Sequence, residues 1–217
     1  MTTTIHQPPR LITELSTAVE LGEAFRDIFQ SYRALHEKSG VTHGDIGIHN
    51  LRYRKKDGQT RGVLVDLDEM ENPKRLNPAT RPYMARDLLY PGPPPLHLYR
   101  FDLESLLYTM VIVLCSYENG QEIENPPFET WEELETDALL TEKIIFFGGP
   151  VPMPTVNFID IYGVNRALSK LFRDGCHARI DATLFDNSLD PTFDNDTLGG
   201  HVTFDTFERI LDEHLPR

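Results

Sequence analysis

The sequence predicts an α+β fold, mainly α-helical, in which one β-hairpin carries the loops that do chemistry. Three observations predict it. Apolar residues recur at helical spacing through Leu21, Phe25, Ile28, Phe29, Tyr32 and Leu35. An Asp57-Gly58 pair, the local signal for a tight hairpin turn, separates two short strand-like runs at 51–54 and 62–65. Asp102 to Ser116 is strongly apolar and of helix length.

In chain order, Arg10 to Leu15 reads as a short strand and Thr17 to Ser39 as a helix that Gly40 is placed to end. Leu51 to Arg54 and Gly62 to Val65 are the hairpin strands. Glu69 to Arg81 is polar, holds two prolines, and is read as a loop. Pro91-Gly92-Pro93-Pro94-Pro95 is a rigid extended spacer. The apolar segment from Asp102 to Ser116 is a buried helix, with Asp102 where a cap would stand. Trp131 to Phe147 forms one or two helices, Ile159 to Phe172 another, and Thr203 to His214 a short amphipathic one. Cys176 falls in a loop-like stretch, and Asp186 to Gly200 is a long polar loop. There is no internal repeat and no boundary, so 1–217 is read as a single domain.

Composition excludes several classes. The formal net charge of −13 opposes non-specific binding to nucleic acid or to a membrane surface. The longest apolar run, Leu106 to Cys115, is about half of what a bilayer span needs. The two cysteines, Cys115 and Cys176, make no disulfide framework. The N-terminus lacks the charged and apolar regions of a signal peptide. The expected location is therefore cytoplasmic or nuclear, with no nucleic-acid and no membrane partner.

The stretch with the most chemistry is His43-Gly44-Asp45-Ile46-Gly47-Ile48-His49-Asn50, followed after the hairpin by Asp66-Leu67-Asp68. A carboxylate five residues before a carboxamide, with a second carboxylate at the end of a strand, is what phosphoryl transfer needs. One carboxylate accepts the proton of an attacking hydroxyl; the amide and the other carboxylate hold magnesium against phosphates. The competing use of such residues is local, as caps and turn formers.

Four pieces occur in order: His43-Gly44-Asp45…Asn50; Val65-Asp66-Leu67-Asp68; Thr80-Arg81-Pro82-Tyr83-Met84-Ala85-Arg86-Asp87; and Asp102-Leu103-Glu104-Ser105-Leu106. Together they resemble the C-terminal lobe of a eukaryotic protein kinase. With Thr197 to Thr203 they resemble more narrowly the fungal-type protein kinases, from about Pro9 onward. The resemblance implies a protein-kinase-like C-lobe with an ATP- and Mg2+-dependent Ser/Thr phosphotransferase site. It implies Asp45 as the catalytic base, Asn50 and Asp66 as the magnesium and cofactor-binding residues, and Arg52 beneath the adenine. His43 and Leu67 match two members of an apolar column resting on Asp102. Thr80 matches a threonine that contacts the catalytic aspartate, and Asp87 stands where the family pairs a glutamate with a late arginine, here Arg179.

The chain also departs from the pattern. Only 42 residues precede His43, and none supplies a Gly-rich loop, a strand lysine or its helix glutamate, so the N-lobe is expected to be absent. Gly44 replaces the usual arginine, Gly47 a frequent lysine, and Asp68 a glycine; Arg52 replaces an apolar adenine contact. The isolated lobe is accordingly expected to be weak or inactive as an enzyme. Two alternatives stand beside the kinase reading: a catalytically inactive, pseudokinase-like binding module, and a small-molecule kinase of the aminoglycoside or choline type. A protein partner, or self-association, is expected through the face an N-lobe would cover.

Overall fold

The computed structural model describes residues 8–67, 78–184 and 188–216. The elements are β1 (Arg10–Leu11), α1 (Ala18–Ser39), β2 (Leu51–Lys56), β3 (Gln59–Leu64), α2 (Tyr99–Ser116), β4 (Tyr117–Glu118), β5 (Gln121–Glu122), α3 (Thr136–Gly148), α4 (Tyr162–Asp181) and α5 (Phe204–His214). Single turns of 3-10 helix fall at Ile12–Glu14, Pro78–Tyr83, Arg86–Leu88, Glu129–Glu132 and Val156–Ile161. The architecture is α+β and mainly helical, with small antiparallel sheets.

Helix α1 starts and stops for local reasons. The Thr17 hydroxyl accepts from the Glu20 amide at 3.2 Å, and Gly40 ends the helix at φ 69°. Its apolar stripe is buried from Leu21 to Tyr32. One side lies on β3 so closely that a Cβ at Gly62 would stand 2.0 Å from the Ala24 carbonyl oxygen. Only glycine permits that approach. The other side meets α5, where Phe29 and Phe207 stack at 5.3 Å.

β1, β2 and β3 form one antiparallel sheet, with Arg52 opposite both Leu11 and Val63. The turn at Asp57-Gly58 has positive φ at both residues, which matches the twist of the flanking strands. The first strand runs two residues and the second three residues further into the turn than the sequence suggests. Arg10 to Leu15 is strand only through Leu11, because the chain curls into a 3-10 turn whose Glu14 pairs back to Arg10.

The expectation of one β-hairpin is corrected. A second hairpin, β4–β5, turns at Asn119-Gly120, again with positive φ at both residues. Its strands have two residues each, too short to show alternation, but Asn-Gly was a signal for it.

Helix α2 is the axis of the core: every residue from Arg100 to Ser116 is buried. Surrounded on all sides, it shows no polar face. It is one of the described helices, none of which is long and apolar enough to cross a membrane. The notion of Asp102 as its cap is also corrected. The cap residue is Leu98, with no side-chain bond, and Asp102 lies inside the first turn facing another loop. Helix α4 runs on to Asp181 and takes in Cys176, which is buried there rather than in a loop. Helix α5 lies where expected, with Thr203 as its N-cap.

Candidate functional site

The site is organised by one buried carboxylate. Asp102 is 1% exposed and accepts four hydrogen bonds. Two come from the backbone amides of His43 (2.7 Å) and Gly44 (2.9 Å), one from the Tyr32 hydroxyl (2.7 Å) and one from His97 Nε2 (3.1 Å). Burial alone would raise its pKa; His97 and the Tyr32 hydroxyl outweigh burial and hold it below the usual carboxylate range. A carboxylate saturated in this way fixes the entry to the 43–50 loop.

His43 ties that loop to the next. Its Nε2 faces the Val65 carbonyl at 3.0 Å and its Nδ1 faces the Asp45 amide at 3.3 Å. A carbonyl can only accept and an amide only donate, so the ring is the neutral Nε2–H tautomer. The Val65 amide in turn donates to the Asn50 carbonyl at 3.1 Å. The backbone just before Asp66 is thus tied at both ends to the loop that holds Asp45 and Asn50.

Within the loop, Asn50 Nδ2 donates to the Asp45 carbonyl at 2.8 Å and to Asp45 Oδ2 at 3.2 Å. The two residues assigned base and magnesium roles are therefore in direct contact. With its nitrogen committed to Asp45, the Asn50 amide has its oxygen left as the donor for a cation. Asp66 is exposed, two residues past β3, at φ 67°, a left-handed conformation that Asx residues tolerate. Arg52 lies on β2, and its Nε donates back to the His49 carbonyl at 3.1 Å. Leu67 is 40% exposed and stands outside the core. Asp68 lies outside the described residues.

The segment after the 3-10 turn at Pro78–Tyr83 packs against this loop. A Cβ at Gly47 would stand 2.8 Å from the Tyr83 ring. Tyr83 is buried, and it occupies the room that a longer side chain at position 47 would need. Below it, Lys143 of α3 is fully buried, donating to the Pro82 carbonyl at 2.8 Å and to the Met84 carbonyl. The ammonium lies 3.8 Å from the Tyr108 ring centroid. Burial drives its pKa well below the ordinary lysine value. Arg86 bonds Glu104 through its backbone amide (2.9 Å) and its Nε (3.2 Å), and also reaches Cys176. Asp87 pairs with Arg179 at 2.6 Å, and with a second partner, Arg100, also at 2.6 Å.

A family model for the fungal protein kinases matches residues 4–115, from before β1 to the last turn of α2. The chain belongs to the fungal protein kinase family. The match takes in His43, Asp45, Asn50, Asp66 and Asp102, and it leaves α3, α4 and α5 outside it. Curated proteins give no match to the chain.

For a fungal protein kinase fold, the donor set can be tested against magnesium. Among the described residues no group of three or more His, Cys, Asp or Glu side chains could hold a metal. An all-protein cage is thus not what these residues offer. An amide oxygen at Asn50 and a carboxylate at Asp66 are hard donors, and magnesium is commonly held by one or two carboxylates together with substrate phosphates. The residues present fit that mode.

Several residues of this kinase domain escape sequence reasoning. Tyr32, His97 and Arg100 are defined by what they touch in the fold, and nothing local marks them. Lys143 has a signal against it, since lysine is almost never fully buried.

Proposed function

We propose that this fungal protein kinase domain carries the phosphoryl-transfer half-site of a Ser/Thr kinase. The observation that supports it best is the Asp45–Asn50 contact, tied through His43 and Val65 to the backbone that presents Asp66. Asp45 is the general base: as a substrate hydroxyl oxygen bonds to the γ-phosphorus of ATP, its proton passes to the Asp45 carboxylate and ADP leaves. Asn50 orients that carboxylate through Nδ2 and turns its oxygen toward the cation. Asp66 supplies the second oxygen donor. Bound Mg2+ would neutralise charge on the phosphates and lower the barrier to their transfer. Arg52, on the neighbouring strand, offers a planar guanidinium on which an adenine can stack.

The exposed surface at Leu67, three residues past β3, is the proposed seat of a polypeptide that completes the phosphate clamp. Without those donors, positioning and charge neutralisation are incomplete and turnover is expected to be slow.

A thermal-shift titration with ATP and Mg2+ tests the reading, comparing wild type with Asp66→Ala. At 100 times its dissociation constant nucleotide adds about 2.7 kcal/mol, a rise of about 5–10 °C in a domain of this size. A magnesium-dependent rise lost in Asp66→Ala, followed by radiolabel transfer to Ser/Thr peptides lost in Asp45→Asn, supports the kinase. No rise at millimolar nucleotide leaves the binding-module reading. Transfer to amino alcohols or aminoglycosides but not to peptides replaces it with the small-molecule kinase.

A further inference from the structure

One turn of α4 holds three buried polar atoms that have no hydrogen-bond partner among the described residues: both ends of the Asn165 amide and the hydroxyl of Ser169. Asn165 is 0% exposed and Ser169 5%. A helical serine commonly returns its hydroxyl to the carbonyl four residues back. Ser105 in α2 does so at 3.0 Å; Ser169 does not. Orphaned polar groups in a protein interior are costly; of these two residues only Ser169 borders a cleft, and Asn165 does not.

Ser169 lines a cleft of about 530 Å³ between the C-terminal end of α3 and the face of α4. That volume is typical of small-ligand sites. Phe147 and Val151 give the cleft an apolar wall, and the Tyr162 hydroxyl pins the wall by donating to the Val151 carbonyl at 2.7 Å. Arg166, Lys170 and Arg173 line the opposite side at i, i+4 and i+7, on the same stripe as Ser169, His214 borders the cleft as well, and among the described residues no carboxylate lines it. In a chain of net charge −13 such a convergence of cations runs against composition. Arg166 lies over the Tyr162 ring and Lys170 pairs with the exposed Asp174. Arg173 is half-buried with no ion pair among the described residues. None of these residues belongs to the Asp45 site.

We propose that this cleft binds a small organic phosphate. Its phosphoryl oxygens accept from Arg173 and Lys170 and, once the enclosed hydroxyl turns about χ1 toward the cleft, from Ser169 Oγ, and its organic body rests on Phe147 and Val151. A phosphate monoester presents several strong acceptor oxygens and up to two negative charges, which suits two cations flanking a hydroxyl. The Lys170–Asp174 pair is exposed and yields at little cost. The apolar wall is what separates an organic phosphate from the bare ion. The proposal is independent of the kinase reading.

The test is an amide-resolved NMR titration of the full chain with phenyl phosphate, inorganic phosphate and benzyl alcohol. Phenyl phosphate is expected to shift Gly149, Gly163 and Ser169 saturably, with inorganic phosphate about tenfold weaker and benzyl alcohol silent. Arg173→Gln is expected to weaken phenyl phosphate at least tenfold, roughly the worth of one charge-assisted hydrogen bond. Ser169→Ala removes a buried orphan, so it folds, and it is expected to weaken binding as well. Asp66→Ala leaves these shifts unchanged. The proposal is overturned by the absence of saturable shifts at concentrations on the order of 10 mM. Equal affinity in wild type, Arg173→Gln and Ser169→Ala overturns it too, as do shifts that centre on residues 43–50 and vanish in Asp66→Ala. Equal affinity for inorganic and phenyl phosphate removes the organic body from the proposal.

Discussion

Helix α2 carries two buried carboxylates two residues apart, and they serve different segments. Asp102 and Glu104 are each 1% exposed. Asp102 uses both oxygens, holding two backbone amides of the 43–50 loop, a phenol and an imidazole. Glu104 concentrates its bonds on Oε1, which accepts from the Arg86 amide, the Arg86 guanidinium and the Tyr108 hydroxyl, and leaves Oε2 with no partner among the described residues. Side chains two apart on a helix point to different faces. One helix thus anchors both the loop with Asp45 and the segment with Tyr83. The loop that carries Asp45 has the saturated anchor; the segment beside it has one with unused capacity. Lys143 adds a second hold on that segment from below.

The largest effect is expected from Asp102→Ala. It strands the His43 and Gly44 amides, at about 1–3 kcal/mol each, and with the Tyr32 bond the loss should reach about 4 kcal/mol in denaturant unfolding. A loss under about 1 kcal/mol would mean that the 43–50 loop does not depend on Asp102.

Glu104→Gln should cost less, about 2 kcal/mol, because Oε1 is kept and only the charge facing Arg86 goes. Hydrogen exchange sharpens the comparison. Amides at Met84 to Arg86 should exchange faster in this variant while those of His43 and Gly44 keep their protection. Equal deprotection of both segments would show that the two anchors act as one unit.

Gly47→Ala should destabilise by about 1–3 kcal/mol, since the new Cβ meets the buried Tyr83 ring. Gly47→Ala combined with Tyr83→Leu should recover part of the loss. If the single variant is as stable as wild type, Tyr83 moves freely and the segment that holds it is not packed on the loop.

The smallest effect in the working range concerns pH. Burial raises the Asp87 pKa, but Arg179 and Arg100 outweigh it and hold it below 3.8. The unfolded chain therefore binds the proton first. The contribution of Asp87 is fully present above about pH 4 and is lost as the pH falls below 3.8 toward its folded value. Asp87→Asn should flatten that part of the stability–pH curve, while the contribution of Asp102, also lowered, persists. An unchanged acid limb in Asp87→Asn would show that the pair carries no proton linkage.

The helices with one apolar stripe were legible because burial on one side writes a 3.6-residue period: α1 was read to within a residue at both ends. The Asp57-Gly58 hairpin was legible because its turn demands positive φ twice. Helix α4 was read as ending at Phe172, although it continues to Asp181 through a stretch where Gly175 and Cys176 face inward among polar neighbours. The pairing of Asp87 with Arg179 was anticipated, but Arg100 was not, since it lies within an apolar helix and is buried there.

The sequence by itself determined which residues could do chemistry here. Spacing within the 43–50 loop places Asp45 beside Asn50, because five residues of tight turn leave few other arrangements, and strand β3 delivers Asp66 at its end. Only the tertiary structure decided what holds those residues still. The amides of His43 and Gly44 meet a carboxylate about 60 residues away, and the tautomer of His43 follows from the Val65 carbonyl just past β3. The room at Gly47 is closed by a ring from a separate turn, and a lysine on α3 is buried beneath it. Such contacts arise from packing distant segments around α2, and neither composition nor periodicity along the chain records which distant partner a side chain will meet.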